Sequence, residues 1–154
     1  MTPTKSAGAT VADRTSVQAK HGIIRLINRV RVELIDLLDQ ELSMFDITAA
    51  QLIVLASVAN KEADSAATLC KSISYDPGAM TRMIDRLERK GFVRRVRSPE
   101  DRRVVNLALT EEGKAVYPKL VARAAAATNR RLRGFTKAEA QQLEGFLQRM
   151  LVND

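Results

Sequence analysis

The chain of 154 residues is poor in the side chains from which catalytic and metal centres are usually built. It has one cysteine, one histidine and no tryptophan. A single cysteine excludes an internal disulfide and a metal cluster held by cysteines, and it suits a reducing cytoplasm. The sequence shows no Ser/His/Asp or metal-ligand cluster and no glycine-rich phosphate loop, so we predict no enzyme activity, no metal and no cofactor.

Long hydrophobic runs are also missing. No stretch approaches the ~20 apolar residues that cross a membrane, and residues 1–17 lack the apolar segment of a signal peptide. We therefore expect no membrane span and no leader, and we expect residues 1–14 to form a disordered tail. Aromatic residues make up 4% of the chain and hydrophobic residues 45%. The core must therefore be largely aliphatic, which suits packed helices.

Positive charge is concentrated in one part of the sequence. The formal net charge is +7, and the window from Arg82 to Arg103 contains nine basic and four acidic residues, so +5 of that charge lies there. A focused basic patch predicts a polyanionic partner, either nucleic acid or an anionic membrane. The membrane is the weaker candidate, because the apolar face opposite these charges is needed for the core.

The segment Asp76–Gly91 predicts one amphipathic helix. Asp76 can cap its start, Pro77 suits the first helical position, and Gly91 suits the left-handed residue after its end. One face is an apolar stripe with helical spacing, formed by Met80, Met83, Ile84 and Leu87. The other face carries charged side chains, namely Arg82, Asp85, Arg86 and Arg89. Alone, those arginines would be interpreted as a solvated face paired with neighbouring carboxylates.

The sequence before this helix predicts two shorter helices. Thr48–Gln51 is a capping box that starts a helix ending near Asn60, and Ser65 caps a second helix that carries Cys70. We expect the first of them to bury Leu52, Ile53, Leu55 and Ala56. Two short helices joined by about three residues are typical of a helix-turn-helix.

The residues after Gly91 predict a β-hairpin. Phe92–Arg97 and Val104–Leu109 have the composition and alternation of strands, and Ser98–Arg102 has the proline and acidic residues of a loop. A two-stranded hairpin is marginally stable alone, so it must pack on the preceding helices as a wing. With this wing present, the arginines of the preceding helix are better interpreted as a surface for nucleic acid.

Longer helices are predicted on both sides of this region. Residues 16–44 form the first, a second runs from Thr110 to about Arg133, and the capping box Thr136–Glu139 begins the last. The first helix is apolar around much of its circumference, and the last has one apolar face of Leu143, Phe146, Leu147, Met150 and Leu151. One small domain cannot cover both faces, which favours a symmetric dimer.

The run Asp101–Thr110, DRRVVNLALT, matches the pattern D-x-R-x5-L-T of the MarR family of bacterial transcriptional regulators. Thr81-Arg82 and Leu87–Gly91 precede it as in that family, and Gly113 follows it. The chain from about Ile23 to the end resembles the family in the order of its elements. The resemblance implies a mainly α fold with a small β-wing, in which 15–154 is a single domain: a winged helix-turn-helix at 46–110, flanked by dimerisation helices at 16–44 and 111–154.

The resemblance also implies a function and its partners. A homodimer would bind a pseudo-palindromic operator in double-stranded DNA and repress transcription until a small aromatic or phenolic ligand releases it. By carry-over, Thr81, Arg82 and Arg86 would face the major groove. Arg103 would enter the minor groove, oriented by Asp101, while the remaining wing arginines would assist at phosphates: Arg95, Arg97 and Arg102. The ligand-binding residues cannot be chosen from the sequence.

Two alternatives remain open at this stage. The first is a redox-responsive repressor acting through Cys70, although a buried core position is the simpler interpretation of a lone cysteine on a short helix. The second is a dimeric architectural protein that binds DNA with little sequence preference. Polar residues at the expected base-reading positions, Thr81, Arg82 and Asp85, argue weakly against it. His21 is expected to have a surface or capping role.

Overall fold

The structure is a computed structural model that describes residues 11–61, 65–72, 75–97 and 105–152, with side chains from His21 onward. By its internal contacts the chain divides into two compact units, Met1–Leu37 and Leu38–Asp154. The helices and strands are α1 (Val11–Leu42), α2 (Ala49–Ala59), α3 (Ala66–Ser72), α4 (Pro77–Arg89), β1 (Val93–Arg97), β2 (Val105–Leu109), α5 (Glu111–Arg131) and α6 (Lys137–Val152). A short 3-10 turn, Ser43–Phe45, follows α1.

The first unit contains most of α1. The helix begins at Val11, five residues before the predicted start at Ser16, so the predicted disordered tail overlaps helical residues; residues 1–10 lie outside the described part of the chain. Within this unit the described aliphatic side chains are largely exposed, at Ile23, Ile24, Leu26, Ile27, Val30, Val32 and Ile35. Such a face on a long helix is suited to packing against another surface.

The core of the second unit is aliphatic, as the composition predicts. Side chains from α2, α3, α4, β1 and α5 meet in it with almost no exposed area. Its fully buried members include Leu42, Val54, Leu55, Leu69, Met80, Ile84, Leu87, Val93 and Leu120. The predicted stripe of α4 is confirmed: three of its four members are buried and Met83 is half-buried. This burial fixes which face of α4 looks outward.

Helix α2 begins at the predicted capping box. The Thr48 side chain accepts from the Gln51 N–H at 3.2 Å, and Gln51 Oε1 accepts from the Thr48 N–H at 3.2 Å. The two reciprocal bonds satisfy donors that a helix start leaves unpaired. The predicted burial of Ile53 is wrong, because its side chain is 49% exposed. Leu52 and Leu55 are buried as predicted, but the buried side of α2 includes Val54 in place of Ile53.

The wing consists of β1, β2 and the residues between them. The strands pair in antiparallel register, with Val93 opposite Leu109 and Arg97 opposite Val105. Residues 98–104, the predicted hairpin loop and the start of the second strand, lie outside the described residues. Directly after β2, the Thr110 side chain accepts from the Gly113 N–H at 2.9 Å and starts α5. The wing is thus held between the end of α4 and the start of α5.

Helix α6 has a confirmed capping box and an exposed apolar face. Thr136 Oγ1 accepts from the Glu139 N–H at 3.2 Å, while Glu139 Oε2 accepts from the Thr136 N–H at 2.7 Å. In this helix, Lys137–Val152, no residue is buried. The exposed apolar side chains are Leu143, Phe146, Leu147, Met150, Leu151 and Val152.

Candidate nucleic-acid interface

Helix α4 is closed at both ends by local signals that set its exact span. Asp76 lies just before it, and its carboxylate accepts from the Ala79 N–H at 2.8 Å. At the other end Gly91 has a left-handed φ of 75°. The Phe92 N–H then donates to the Leu87 carbonyl at 3.0 Å, as in a Schellman motif. The helix therefore presents a fixed set of outward positions.

The outward face of α4 is polar and mostly cationic. Thr81, Arg82, Arg86 and Arg89 are all exposed. Thr81 Oγ1 donates to the Pro77 carbonyl at 2.9 Å, which orients its side chain along the helix. Among the residues that the structure describes, neither Arg82 nor Arg86 takes part in an ion pair. Their guanidinium groups, with several donors each, are available to an anion.

A cleft lies beside this face, between the start of α2 and α4. Its volume is about 320 Å³. The lining combines two guanidinium groups with hydroxyl, amide and apolar side chains, from Thr48, Ala50, Gln51, Tyr75, Ala79, Arg82, Met83 and Arg86. A small anion with an apolar body has the complementary chemistry. No sequence signal points to this cleft, because α2 and α4 are brought together only by the fold.

The wing arginines differ in what they contact. Arg97 is exposed at the end of β1. Arg95 instead pairs with two carboxylates on α4: Asp85, at 2.6 Å, and Glu88. Asp101, Arg102 and Arg103, which were predicted as the wing-tip site, lie outside the described residues. The structure thus brings Thr81, Arg82 and Arg86 together on one helix face and gives Arg95 other partners.

Lys90 holds the end of α4 against the turn that precedes α2, and the sequence analysis missed it. Its ammonium group lies 3.0 Å from Asp46 Oδ2 and also donates to the Asp46 backbone carbonyl. Gln51 Oε1 lies 3.5 Å away, at the limit of a hydrogen bond. Asp46 has a left-handed φ of 54°. No sequence signal points to a contact between residues 44 positions apart.

Known proteins resemble this chain across most of its length. A model of the MarR family matches residues 47–105. The multiple antibiotic resistance protein MarR of Escherichia coli K12 is 45% identical over 92 residues, which span 60% of this chain and 64% of that protein. The protein of the same name from Salmonella typhimurium is 37% identical over 128 residues, which span 82% of this chain and 89% of the relative. The chain belongs to the MarR family.

Two further comparisons extend the likeness to the MarR family. The HTH-type transcriptional repressor MdtR of Bacillus subtilis is 31% identical over 139 residues, or 90% of this chain and 83% of the relative. A solved structure of a cysteine-to-serine mutant of Escherichia coli MarR, complexed with operator DNA, has a TM-score of 0.76 and 36% identity. The match covers 84% of this chain and 94% of the solved chain. This MarR-family chain is a DNA-binding transcriptional regulator with a winged-helix fold, and the predicted family, fold class and function are confirmed.

Two further residues of this MarR-family chain, Cys70 and His21, have reactive or titratable side chains and lie outside the α4 face. Cys70 is half-buried on α3 and packs against the core, and His21 is exposed on α1. Among the described residues, no group of three or more His, Cys, Asp or Glu could hold a metal ion. Within the same residues, no single helix has the length and low charge to cross a membrane, and one bent pair of helices passes by length and composition only.

Proposed function

We propose that this chain is a homodimeric repressor of the bacterial cytoplasm that binds a pseudo-palindromic operator and has no enzyme activity. The observation that carries the proposal is the outer face of α4, which holds exposed arginines, lies beside a β-wing and is opposite an apolar face whose Met80, Ile84 and Leu87 are buried. A helix held in this way can enter the major groove without losing its packing. The basic window supplies the attraction to phosphates.

In this proposal α4 is the recognition helix. Thr81, Arg82 and Arg86 would read base edges, because Arg can bond guanine through two donors at once. Arg97 and, in the part of the wing that the structure does not describe, Arg102 would bond phosphates, which position the protein without reading sequence. Arg103, oriented by Asp101, would enter the minor groove, where a narrow groove attracts a guanidinium group.

A homodimer is proposed on the basis of two exposed apolar faces. Each unit of the chain has one: the aliphatic face of α1 in the first and the face of α6 in the second. Phe146, Leu147 and Met150 of α6 are each between 41% and 50% exposed, whereas the core of the same unit buries Leu55, Ile84 and Leu120 almost completely. Contiguous apolar surface of this kind is typical of subunit interfaces. Two copies related by a two-fold axis would match the symmetry of a palindromic operator.

Release by a small aromatic ligand is proposed from the chemistry of the cleft. Arg82 and Arg86 line it and also belong to the proposed reading face. A ligand carboxylate paired with either guanidinium would therefore compete with DNA for the same donors. Tyr75 and Met83 offer apolar surface to the ring. Aromatic acids are the favoured class, and phenols the second class to screen.

The proposal is tested by titrating DNA while following fluorescence anisotropy. A palindromic fragment from the protein's own promoter region should bind about 10³-fold more tightly than bulk DNA. Arg82→Ala should reduce this preference about tenfold or more, because one bidentate base contact is worth ~1–3 kcal/mol. The matched control is Lys119→Ala, which removes one exposed cation from α5 and should keep the preference. Equal competition by bulk DNA would instead support an architectural protein.

Ligand release has its own test. Aromatic acids that raise the unfolding temperature of the wild-type protein should also displace the operator, because binding to the folded state adds stability by mass action. The rise in unfolding temperature should disappear in Arg86→Ala, and both effects should persist in Lys119→Ala. A ligand that stabilises both variants equally would place the binding site away from the cleft.

A further inference from the structure

Arg95, at the centre of β1, connects the wing to the recognition helix. Its Nη2 lies 2.6 Å from Asp85 Oδ1, and its Nη1 pairs with Glu88 Oε2. Asp85 and Glu88 are three residues apart, so they lie on the same side of α4. The planar guanidinium group reaches both carboxylates at once, a geometry that a single ammonium group cannot reproduce.

The backbone adds a second connection between the same two elements. The Arg95 N–H donates to Glu88 Oε1 at 3.2 Å. Along its other edge β1 pairs with β2, where Arg95 is opposite Leu107. In an antiparallel pair a residue whose N–H points outward makes no ladder bond with that N–H. The Arg95 amide therefore reports the contact with α4 and is independent of the hairpin.

The charge on Arg95 is engaged before any DNA is present. The pKa of its guanidinium group is raised, first by the hydrogen bond to Asp85 and then, against the opposing effect of burial, by attraction to Glu88 and Asp85. Its side chain is 35% exposed. Arg94 and Arg97, on either side of it in sequence, have exposed side chains. Without this cation, the carboxylates of Asp85 and Glu88 would repel DNA phosphates from the recognition helix.

We propose that Arg95 is a positioning residue: it fixes the angle between the wing and the recognition helix and offsets one of the two negative charges of Asp85 and Glu88, so its guanidinium group is occupied and contacts no phosphate itself. A two-stranded hairpin is marginally stable alone and needs such an attachment. The inference rests on the proposed function of α4 as the recognition helix, and it replaces the phosphate-contact role that the family resemblance implied for Arg95.

The attachment is tested without DNA by amide hydrogen exchange, followed by NMR. In the full-length protein the Arg95 N–H should exchange slowly, and Glu88→Ala should speed its exchange about tenfold or more. The amides of the β1–β2 ladder should keep their exchange rates in that variant, which a general loss of stability would not allow. If the Arg95 amide exchanges equally fast in both proteins, the attachment does not exist in solution.

The role in DNA binding is tested by variants that keep the charge. Arg95→Lys should weaken operator binding about five- to tenfold, because lysine cannot bond both carboxylates in the same geometry. Arg133→Lys is the matched control: it makes the same substitution at an exposed residue after α5, and it should change affinity by about twofold or less. The slope of log affinity against log salt should stay unchanged in both. If Arg95→Lys keeps the wild-type affinity for the operator, Arg95 contacts a phosphate, as the family resemblance implied.

Exchanging the charges of Arg95 and Glu88 is a second test of their pairing. Arg95→Glu and Glu88→Arg should each weaken operator binding, and the double variant, which has the net charge of the wild type, should recover at least half of the loss on a logarithmic scale. Additive losses in the double variant would overturn the proposal. If instead the wild type shows no preference for its operator while the Arg95 amide is protected, the proposed function fails and the attachment stands.

Discussion

Gly113 lies where the start of α5 crosses Phe92, the residue just before β1. A Cβ at this position would overlap the Phe92 carbonyl oxygen and would lie 3.0 Å from the carbonyl carbon. Both atoms belong to backbone that also receives the Thr110 N–H at 3.1 Å, so neither can move aside without breaking that bond. At the scale of single residues, the absence of a side chain at Gly113 permits the wing and α5 to meet.

We expect Gly113→Ala to destabilise the protein by about 3 kcal/mol, as overpacking in a fixed environment does. The free energy of unfolding, measured by urea denaturation, is the readout. Gly145→Ala is the matched control, because a Cβ there meets nothing within 4 Å. That substitution lies inside a helix and should stabilise the protein by about 0.5–1 kcal/mol. Equal effects of the two substitutions would contradict the crossing geometry.

Glu139 makes the α6 capping box dependent on pH. Hydrogen bonds from the Thr136 backbone and side chain lower the pKa of Glu139 below its ordinary value of 4.5. A carboxyl with a lowered pKa in the folded state adds stability above its unfolded pKa and loses it as pH falls below that value. Stability should therefore decline below about pH 4.5, in part through α6.

Replacing Glu139 by glutamine should remove this part of the pH dependence, because a glutamine cap does not titrate. Thermal unfolding between pH 3 and pH 7, compared with the wild type, is the measurement. The variant should show a flatter profile on the acid side and a similar unfolding temperature at pH 7. Two parallel profiles would mean that Glu139 does not couple protonation to folding.

At the scale of helices and strands, most of the second unit could be predicted from the sequence. The residues that begin and end its elements are visible there as capping and turn residues. Asp76 and Gly91 set the limits of α4, and Thr110 sets the start of α5, through bonds that span three to five residues. The predicted start of α1, at Ser16, lies five residues after the observed start at Val11.

Contacts that depend on how elements are arranged could not be predicted. The burial of Ile53 was wrong because helical spacing gives a face but not its direction. The partners of Arg95 and Lys90 depend on the angle at which β1 and the Asp46 turn approach α4. The wing-tip residues Asp101 and Arg103 stay predictions, since they lie outside the described residues.

The cap of α4 should control both stability and DNA binding. Asp76→Ala removes the acceptor for the Ala79 N–H and should cost about 1 kcal/mol of unfolding free energy. Because Thr81 and Arg82 follow directly after the first turn of α4, fraying of that turn should weaken operator binding at the same time. Asp76→Asn keeps the cap without the charge, and it should retain most of both properties. If both variants lose stability and operator affinity to the same extent, the charge of Asp76 matters and its capping hydrogen bond does not.

At the scale of the whole molecule, the proposed homodimer would cover the exposed apolar face of α6. Leu147 lies near the centre of that face, between Leu143 and Leu151, and is 41% exposed. If a second copy covers it, Leu147→Glu would bury a charge in an apolar interface, at a cost that is large compared with the free energy of association. We expect the dissociation constant of the dimer to rise about 100-fold or more, as measured by sedimentation velocity over a range of concentrations.

The control for this substitution is Gln141→Glu, which adds the same charge to an exposed residue on the other side of α6. It should leave association unchanged. In Leu147→Glu the operator affinity should fall with dimerisation, and the slope of log affinity against log salt should fall by about half, because one copy offers half the phosphate contacts. A monomer that binds the full operator with the wild-type slope would separate DNA recognition from pairing, and it would show that two copies need not act together.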